Sequence, residues 1–407
     1  MYPTELLQQA RRNAAEFIAI RHDIHQHPEL AFHEQRTGNL VAERLEKLGY
    51  RVERGIGGTG LVGQMRLGDG ARTIGIRADM DALPIHESTG LAYASRHAGV
   101  MHACGHDGHT AMLLGAAQLL AERARFSGTV NLIFQPAEEY GRSDSGAARM
   151  IGDGLFRKYP CDAIFGMHNS PGNPQGHFVL RDGPMMASSD KVAISIHGLG
   201  GHGASPHRAC DPIVVIANLV TALQSIVSRN VDPQEAAVVT VGLIHAGTAN
   251  NVIPPIARIE LTVRALNAEV RTLLEKRIIE LTHSIARGYG ASAEIDYQHG
   301  YPPLVNTAAE TEFARDVAVE LAGREHVTPR GPALTGSEDF AFMLEQCPGA
   351  YLLIGNGAER GPTSCMIHNP GFDFNDDNVS IGAAYWTLLT ERFLVDDSTT
   401  PTLRNSL

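Results

Sequence analysis

Residues 130–139 read Val-Asn-Leu-Ile-Phe-Gln-Pro-Ala-Glu-Glu. Val130 to Phe134 has the length and apolar character of a buried strand, and it runs through Gln-Pro into the paired carboxylates Glu138 and Glu139. The same grammar recurs on either side. Thr73 to Ala78 (TIGIRA) reads as a buried strand ending at Asp79, and Ala163 to Met167 as another ending at His168. Between the first two lies Gly108 to Arg123, where Met112, Leu113, Ala116, Leu119 and Leu120 share one helical face. Strands alternating with helices predict an α/β domain, a central sheet flanked by helices. In open sheets of that class, active sites sit beyond the carboxyl ends of the strands, where Glu138, Glu139 and His168 all fall.

The pattern changes near Ser188. Val192, Ile194 and Ile196 alternate as a half-buried strand. Pro212 to Arg229 is helical, Val238 to His245 and Ile256 to Ala265 are strands, Glu269 to Tyr289 is a long helix, and Ser292 to Gln298 closes as a strand. The order β-α-β-β-α-β is that of a ferredoxin-like sandwich. The expected organisation is a discontinuous catalytic domain, 1–187 and 299–407, interrupted by an inserted domain, 188–298. After Tyr301-Pro302-Pro303 the first pattern resumes, with a strand around Tyr351 to Ile354 and a terminal helix from Ser380 to Phe393.

The 407 residues suffice for two domains with substantial cores, and 43% hydrophobic content is ordinary for a globular chain. With 34 basic and 45 acidic residues the net charge is −11, and no Lys/Arg-rich run offers a footprint for nucleic acid. No apolar run approaches the ~18 residues of a membrane span. The N-terminus shows helical periodicity (Leu6, Leu7, Ala10, Ala14, Phe17, Ile18) rather than the apolar stretch of a signal peptide. Five scattered cysteines form no disulfide framework, which points to a reducing, cytoplasmic setting.

Met101 to His109, MHACGHDGH, packs one cysteine and three histidines into nine residues. Thiolate and imidazole are ligands for borderline-soft metals, and Cys104 with His106 has the spacing to hold one ion or two adjacent ones. A lone Cys-x-His is more often a buried thiol beside a histidine. Here three further donor clusters accompany it: Glu138-Glu139, His168 in Gly-Met-His-Asn, and His368 in Ile-His-Asn-Pro. One of the paired carboxylates can bind metal while the other stays free as a general base. Cys365 forms a Cys-x-x-His with His368 but has no further support, and Cys161, Cys210 and Cys347 read as packing thiols.

The set MHACGHDGH, QPAEE, GMHN, GGHGASPH, GTANNVIP, TGSEDF and HNPGFDFNDD, spread from His25 to the His368 loop, resembles the hippurate hydrolase branch of the co-catalytic metallopeptidases. That branch includes N-acyl amino acid amidohydrolases and auxin-conjugate hydrolases, with aminoacylase and succinyl-diaminopimelate desuccinylase as more distant relatives. The resemblance implies two divalent metal ions per subunit, manganese or zinc with nickel or cobalt as options, held by Cys104, His106, Glu139, His168 and His368. It implies Glu138 as the general base toward a metal-bridging water. It also implies substrate contacts from His202, which reaches the substrate carbonyl and often does so in a partner subunit's site, and from Asn251 and Arg264. Where distant relatives carry a His-x-Asp metal motif this chain has Asp79-x-Asp81, so both aspartates are candidates for orienting a ligating imidazole. The inserted domain matches a lid or dimerisation domain, and the expected assembly is a homodimer or homotetramer with no nucleic-acid or membrane partner.

The reaction so implied is hydrolysis of an N-acyl amino acid to a carboxylic acid and a free amino acid. A dipeptidase or carboxypeptidase on the same scaffold is the alternative. A Cys104 nucleophile with His106 as base lacks an orienting third group. A metal-dependent binding module would have no use for Glu138. The acyl group is not encoded in these motifs.

Overall fold

The computed structural model describes residues 2–358 and 365–395. Its centre is an eight-stranded sheet. In spatial order the strands are Arg51–Ile56, Gly60–Leu67, Gly128–Gln135, Thr73–Asp79, Ala163–Pro171, Gly349–Gly357, Phe178–Val179 and Val327–Thr328. The four inner strands from Gly128–Gln135 to Gly349–Gly357 run parallel, and the sheet turns antiparallel toward the Arg51–Leu67 hairpin. Every residue of Gly128–Gln135 is buried, as expected of a strand covered on both faces.

Helices cover both faces. Tyr2–Gln26, His106–Arg123 and Asp377–Phe393 pack over the larger core, which includes Ile76, Leu113, Leu132, Phe165 and Trp386. The second face carries a smaller core of Val62, Ile133, Met150, Phe340 and Tyr351. The helix at His106–Arg123 is tightly placed by the terminal helix. A Cβ on Gly115 would come within 2.9 Å of the Ala383 Cβ.

The inserted segment forms its own four-stranded antiparallel sheet, in the order Ala237–Ala246, Ile256–Ala265, Asp190–His197, Ser292–His299. Two helices, Pro212–Asn230 and Ala268–Gly288, lie on one face and share a core of their Leu219, Leu223, Leu274 and Ile278 with Ile194 and Ile259 of the sheet. Both helices start on a capping side chain: Asp211 accepts from the Ile213 N–H and Asn267 from the Val270 N–H. The two crossings between the sheets are clasped together, since the Ser189 N–H donates to the Tyr301 carbonyl at 3.0 Å and the Tyr301 N–H to Ser189 Oγ at 3.1 Å.

Three features depart from the sequence reading. The strand expected to end at His168 continues to Pro171, because it pairs residue for residue with Gly349–Gly357 through Leu353↔His168 and beyond. The Arg51–Leu67 hairpin carries too little period-2 alternation to be read, although Gly57 and Gly58, at φ of 70° and 100°, mark its turn. Finally, the helix at Pro212–Asn230 is long and apolar enough, by length and composition, to cross a membrane. The sequence reading found this helix but no candidate span, because polar residues such as Asn218 and Gln224 interrupt its apolar run; its Val215, Leu219, Leu223 and Ile226 are buried against the inserted sheet.

Candidate metal centre

Parallel pairing sets Asp79 opposite Gln135 and Arg77 opposite Gly166, so three strand ends open onto one edge of the sheet. Asp79 and Asp81 follow the first strand, Glu138 and Glu139 the second, and His168 lies near the end of the third. Cys104 and His106 reach the same edge from the loop entering the central helix. Gly105 between them must be glycine: its φ is 97°, and a Cβ there would lie 2.3 Å from Asn169 Oδ1.

The donors converge. Cys104 Sγ lies 3.3 Å from His168 Nε2, and His368 Nε2 lies 2.9 Å from Glu139 Oε1. Two triads of donor atoms, Cys104–His106–His168 and Cys104–Glu139–His368, each fall within 4.8 Å, with Cys104 common to both. Together they contain all five residues expected as ligands. His168 Nδ1 is 2.7 Å from the Asn169 carbonyl, which makes it the protonated nitrogen and turns Nε2 toward the centre. His106 Nδ1 faces Asp81 Oδ1 at 3.2 Å, while its buried Nε2 has no hydrogen-bond partner. An orphaned buried polar atom costs about 1–3 kcal/mol, and a divalent ion at this position removes that cost. Thiolate, imidazole and carboxylate in this arrangement fit two such ions.

The protonation tendencies of the metal-free residues point the same way. Burial drives the Cys104 thiol well above its usual range, and the Glu139 and Glu138 carboxylates push it further. Only a cation would keep it a thiolate. Burial holds His168 neutral, the form that binds metal. For His106, burial opposes charge, but Asp79 and Asp81 outweigh it and raise the imidazole to about 10. Burial also acts against Glu139, yet hydrogen bonding to His368 and the charge of His106 lower it.

Glu138 stands apart from this set. It is 6% exposed, and among the described residues no triad of donor atoms combines it with Cys104 or His368, although it lies within 4.8 Å of His106 and Glu139. Burial, with Glu338, Glu139 and Asp339 nearby, raises it well above the usual carboxylate range. Behind it, buried Arg77 donates to Gln135 at 2.9 Å, Asp79 at 2.5 Å, Glu338 at 2.8 Å and Asp339 at 3.1 Å. One guanidinium thus serves three carboxylates, and burial with Glu338 lifts Asp339 to about 8 despite Arg77.

The loops bearing Glu138 and His368 are held in uncommon backbone conformations. Ala137 has φ 51° and His368 φ 64°, left-handed values that non-glycine residues seldom adopt. Each is held by its own N–H: Ala137 donates to Glu34 Oε1 at 2.8 Å and His368 to the Ala103 carbonyl at 2.7 Å. The Tyr301 hydroxyl donates to the Glu138 carbonyl and accepts from the Gly141 N–H at 2.6 Å. Strain of this kind, over-determined by its surroundings, is characteristic of functional loops.

The donors open into a cavity of about 550 Å³, whose further walls are Met186, Leu334, Leu353, Ile367 and Arg264. Arg264 therefore lines the cavity into which the donors open. His202 and Asn251 do not line this cavity. They sit together on the exposed side of the insert, where Val252 pairs with His202 and the Gly203 N–H donates to the Asn251 carbonyl. Of the aspartates, Asp81 contacts His106 directly. Asp79 instead holds His109, at 2.6 Å, whose other nitrogen meets Asn169 at 2.7 Å, so His109 is already satisfied within the protein. Sequence reasoning assigned no role to His109, Arg77, Glu338, Asp339, Glu34 or Tyr301. Arg77 lies two residues before Asp79, and Glu338 and Asp339 lie in TGSEDF, but nothing local shows that Arg77 meets Glu338, 261 residues away.

The model of peptidase family M20/M25/M40 matches residues 75–392. A hippurate hydrolase of Campylobacter jejuni is 45% identical over 379 residues, covering 93% of this chain and 97% of that protein. A thermostable carboxypeptidase 1 of Saccharolobus solfataricus is 40% identical, covering 92% and 95%. The crystal structure of a Bacillus subtilis dinuclear metal binding peptidase from the M20 family superposes with a TM-score of 0.81 at 34% identity, over 94% of this chain and 99% of that one.

Proposed function

The chain belongs to peptidase family M20/M25/M40, and from that footing we propose that it is a metal-dependent amidohydrolase cleaving N-acyl amino acids of the hippurate type into a carboxylic acid and a free amino acid. The observation that carries this reading is the convergence of five donors in two triads that share Cys104, with a sixth group, Glu138, left out of both. We assign Cys104, His106, Glu139, His168 and His368 as ligands of two divalent ions, manganese or zinc. Bound there, the ions would polarise the scissile carbonyl and acidify a water.

The chain's own residues supply the rest. Glu138 takes a proton from the attacking water and passes it to the leaving amine. Its burial and its acidic neighbours raise its proton affinity, which suits a group that must both accept and return a proton. Tyr301 and Glu34 hold the backbone on which Glu138 is mounted. Arg264 receives the substrate carboxylate, a role suited to its planar fork of donors. The apolar wall of Met186, Leu334, Leu353 and Ile367 receives the acyl group.

We take 1–187 with 299–407 as the catalytic domain and 188–298 as a lid and dimerisation domain in a homodimer. Leu199, Ile244 and Val252, 60%, 53% and 52% exposed, lie on the inserted domain that carries His202 and Asn251, and contact with a second copy would cover such groups. In that arrangement His202 and Asn251 act in the partner subunit's cavity. The five free cysteines support a reducing cytoplasmic setting.

The test is amine release from hippurate, other N-acyl amino acids and dipeptides, with manganese or zinc added and again after chelation. Chelator-sensitive release from N-acyl amino acids supports the reading. Release from peptides alone assigns the chain to the carboxypeptidase-like activity named for its Saccharolobus relative.

A further inference from the structure

A second cavity, of about 640 Å³, lies between the inserted sheet and the loop after Glu139. Gly141, Arg264 and Ser337 line both this chamber and the metal-side cavity, so the two join at Arg264. Their walls differ in chemistry. Beyond its donors the metal side has an apolar wall of Met186, Leu334, Leu353 and Ile367, whereas the chamber is lined by Arg142 and Lys191 as well as the shared Arg264.

Among the described residues these three cations have no ion pair with a carboxylate. Arg142 rests over the Tyr140 ring at 5.3 Å, Arg264 donates only to the Val263 carbonyl, and Lys191 extends from the open face of the inserted sheet. The acidic groups close by are already taken. Asp144 in the chamber wall is held by Arg149 at 2.8 Å. Asp190, which attracts Arg264, is held by Arg271 at 2.6 Å. His299, also in the wall, is paired with Glu275 at 2.9 Å. In a chain with 45 acidic and 34 basic residues, three cations facing one chamber without a partner form a receptor for an anion that the protein does not supply.

We infer that this chamber binds the side chain of the substrate's amino acid, and that it selects a side-chain carboxylate. The inference deepens the amidohydrolase reading and rests on it. With the α-carboxylate on Arg264 and the acyl group against the apolar wall, the amino-acid side chain projects past Arg264 to Lys191 and Arg142. The substrate class is N-acyl derivatives of acidic amino acids.

The test compares N-benzoyl-glutamate with its near-isostere N-benzoyl-glutamine, with hippurate as the reference in every enzyme. Wild-type protein is expected to favour the glutamate substrate by about tenfold or more in kcat/KM, the scale of one charge-assisted contact. Lys191→Glu and Arg142→Glu, both on exposed positions, should abolish or invert that ratio. Equal kcat/KM for the two substrates in the wild type, or a ratio unmoved by both substitutions while hippurate is cleaved, overturns the chamber and leaves the amidohydrolase reading in place. Calorimetric binding of N-benzoyl-glutamate separates the two ideas. Binding that is lost in Lys191→Glu, with no cleavage of any N-acyl amino acid by metal-loaded protein, supports the chamber and overturns the amidohydrolase reading.

Discussion

Asp81 ties His106 to Glu139: its Oδ1 lies 3.2 Å from His106 Nδ1, and its Oδ2 accepts the Glu139 N–H at 2.9 Å. One buried carboxylate thus orients an imidazole from the central helix and the backbone of a residue from a strand end. Asp81→Ala frees both. Metal affinity should fall by about 10–100-fold, the usual cost of losing a partner that orients a ligand. Competition with a fluorescent chelator measures this, and unchanged affinity would remove Asp81 from the site.

Glu138→Gln keeps the shape of the side chain and removes its basicity. Metal content should stay at the wild-type level while kcat falls by about 10²–10⁴-fold. Elemental analysis beside steady-state rates checks both halves. Activity within a few-fold of wild type would end the role given to Glu138.

Arg264→Ala should act mainly on substrate affinity. Loss of a charge-assisted contact to a carboxylate predicts a KM increase of about tenfold or more for hippurate, with a smaller change in kcat. An unchanged KM would place the substrate carboxylate elsewhere.

Metal uptake should release protons. His106, raised to about 10 by Asp79 and Asp81 against the effect of burial, carries a proton at neutral pH in the metal-free protein. A ligand must lose it, and Cys104, raised by burial, must lose one too. Apparent affinity therefore rises with pH, by up to about tenfold per unit for each proton displaced while the pH lies below 10. Titration calorimetry in two buffers of different ionisation enthalpy counts the protons, and a count of zero would contradict this account.

His25 predicts a stability effect of definite sign. Burial disfavours its charge, but Asp107 at 2.8 Å and Glu87 at 3.3 Å raise it from 6.5 to about 9. The folded value lies above the unfolded one, so the contribution is complete below pH 6.5 and is lost as pH rises through 9. The slope in between is at most about 1.4 kcal/mol per unit. Denaturant titrations of wild type and His25→Gln from pH 6 to 9.5 should differ by that trend, and parallel curves would refute it.

Much of the architecture was readable locally. Apolar runs such as Val130 to Phe134 and the helical face of Met112, Ala116 and Leu119 depend on neighbours along the chain, and so do the alternating residues Val192, Ile194 and Ile196. The Arg51–Leu67 hairpin escaped because it lies at the antiparallel edge, where exposed and buried residues do not alternate. The strand through His168 ran on because of pairing with residues nearly two hundred positions later.

By itself the sequence determined the donor types, their order and their places near strand ends, since side-chain chemistry and short-range periodicity are properties of local stretches. Only the tertiary structure decided which donors meet. Cys104 belongs to both triads because strand register and the packing of the central helix bring separate loops within a few ångströms. The same long-range packing places Arg264 at the junction of two cavities and His202 and Asn251 on an outer face. It also gives Arg77 three carboxylates and, among the described residues, leaves Lys191 and Arg142 with none. Whether a charge is paired is a property of distance in space, and no residue's own neighbourhood in the sequence contains it.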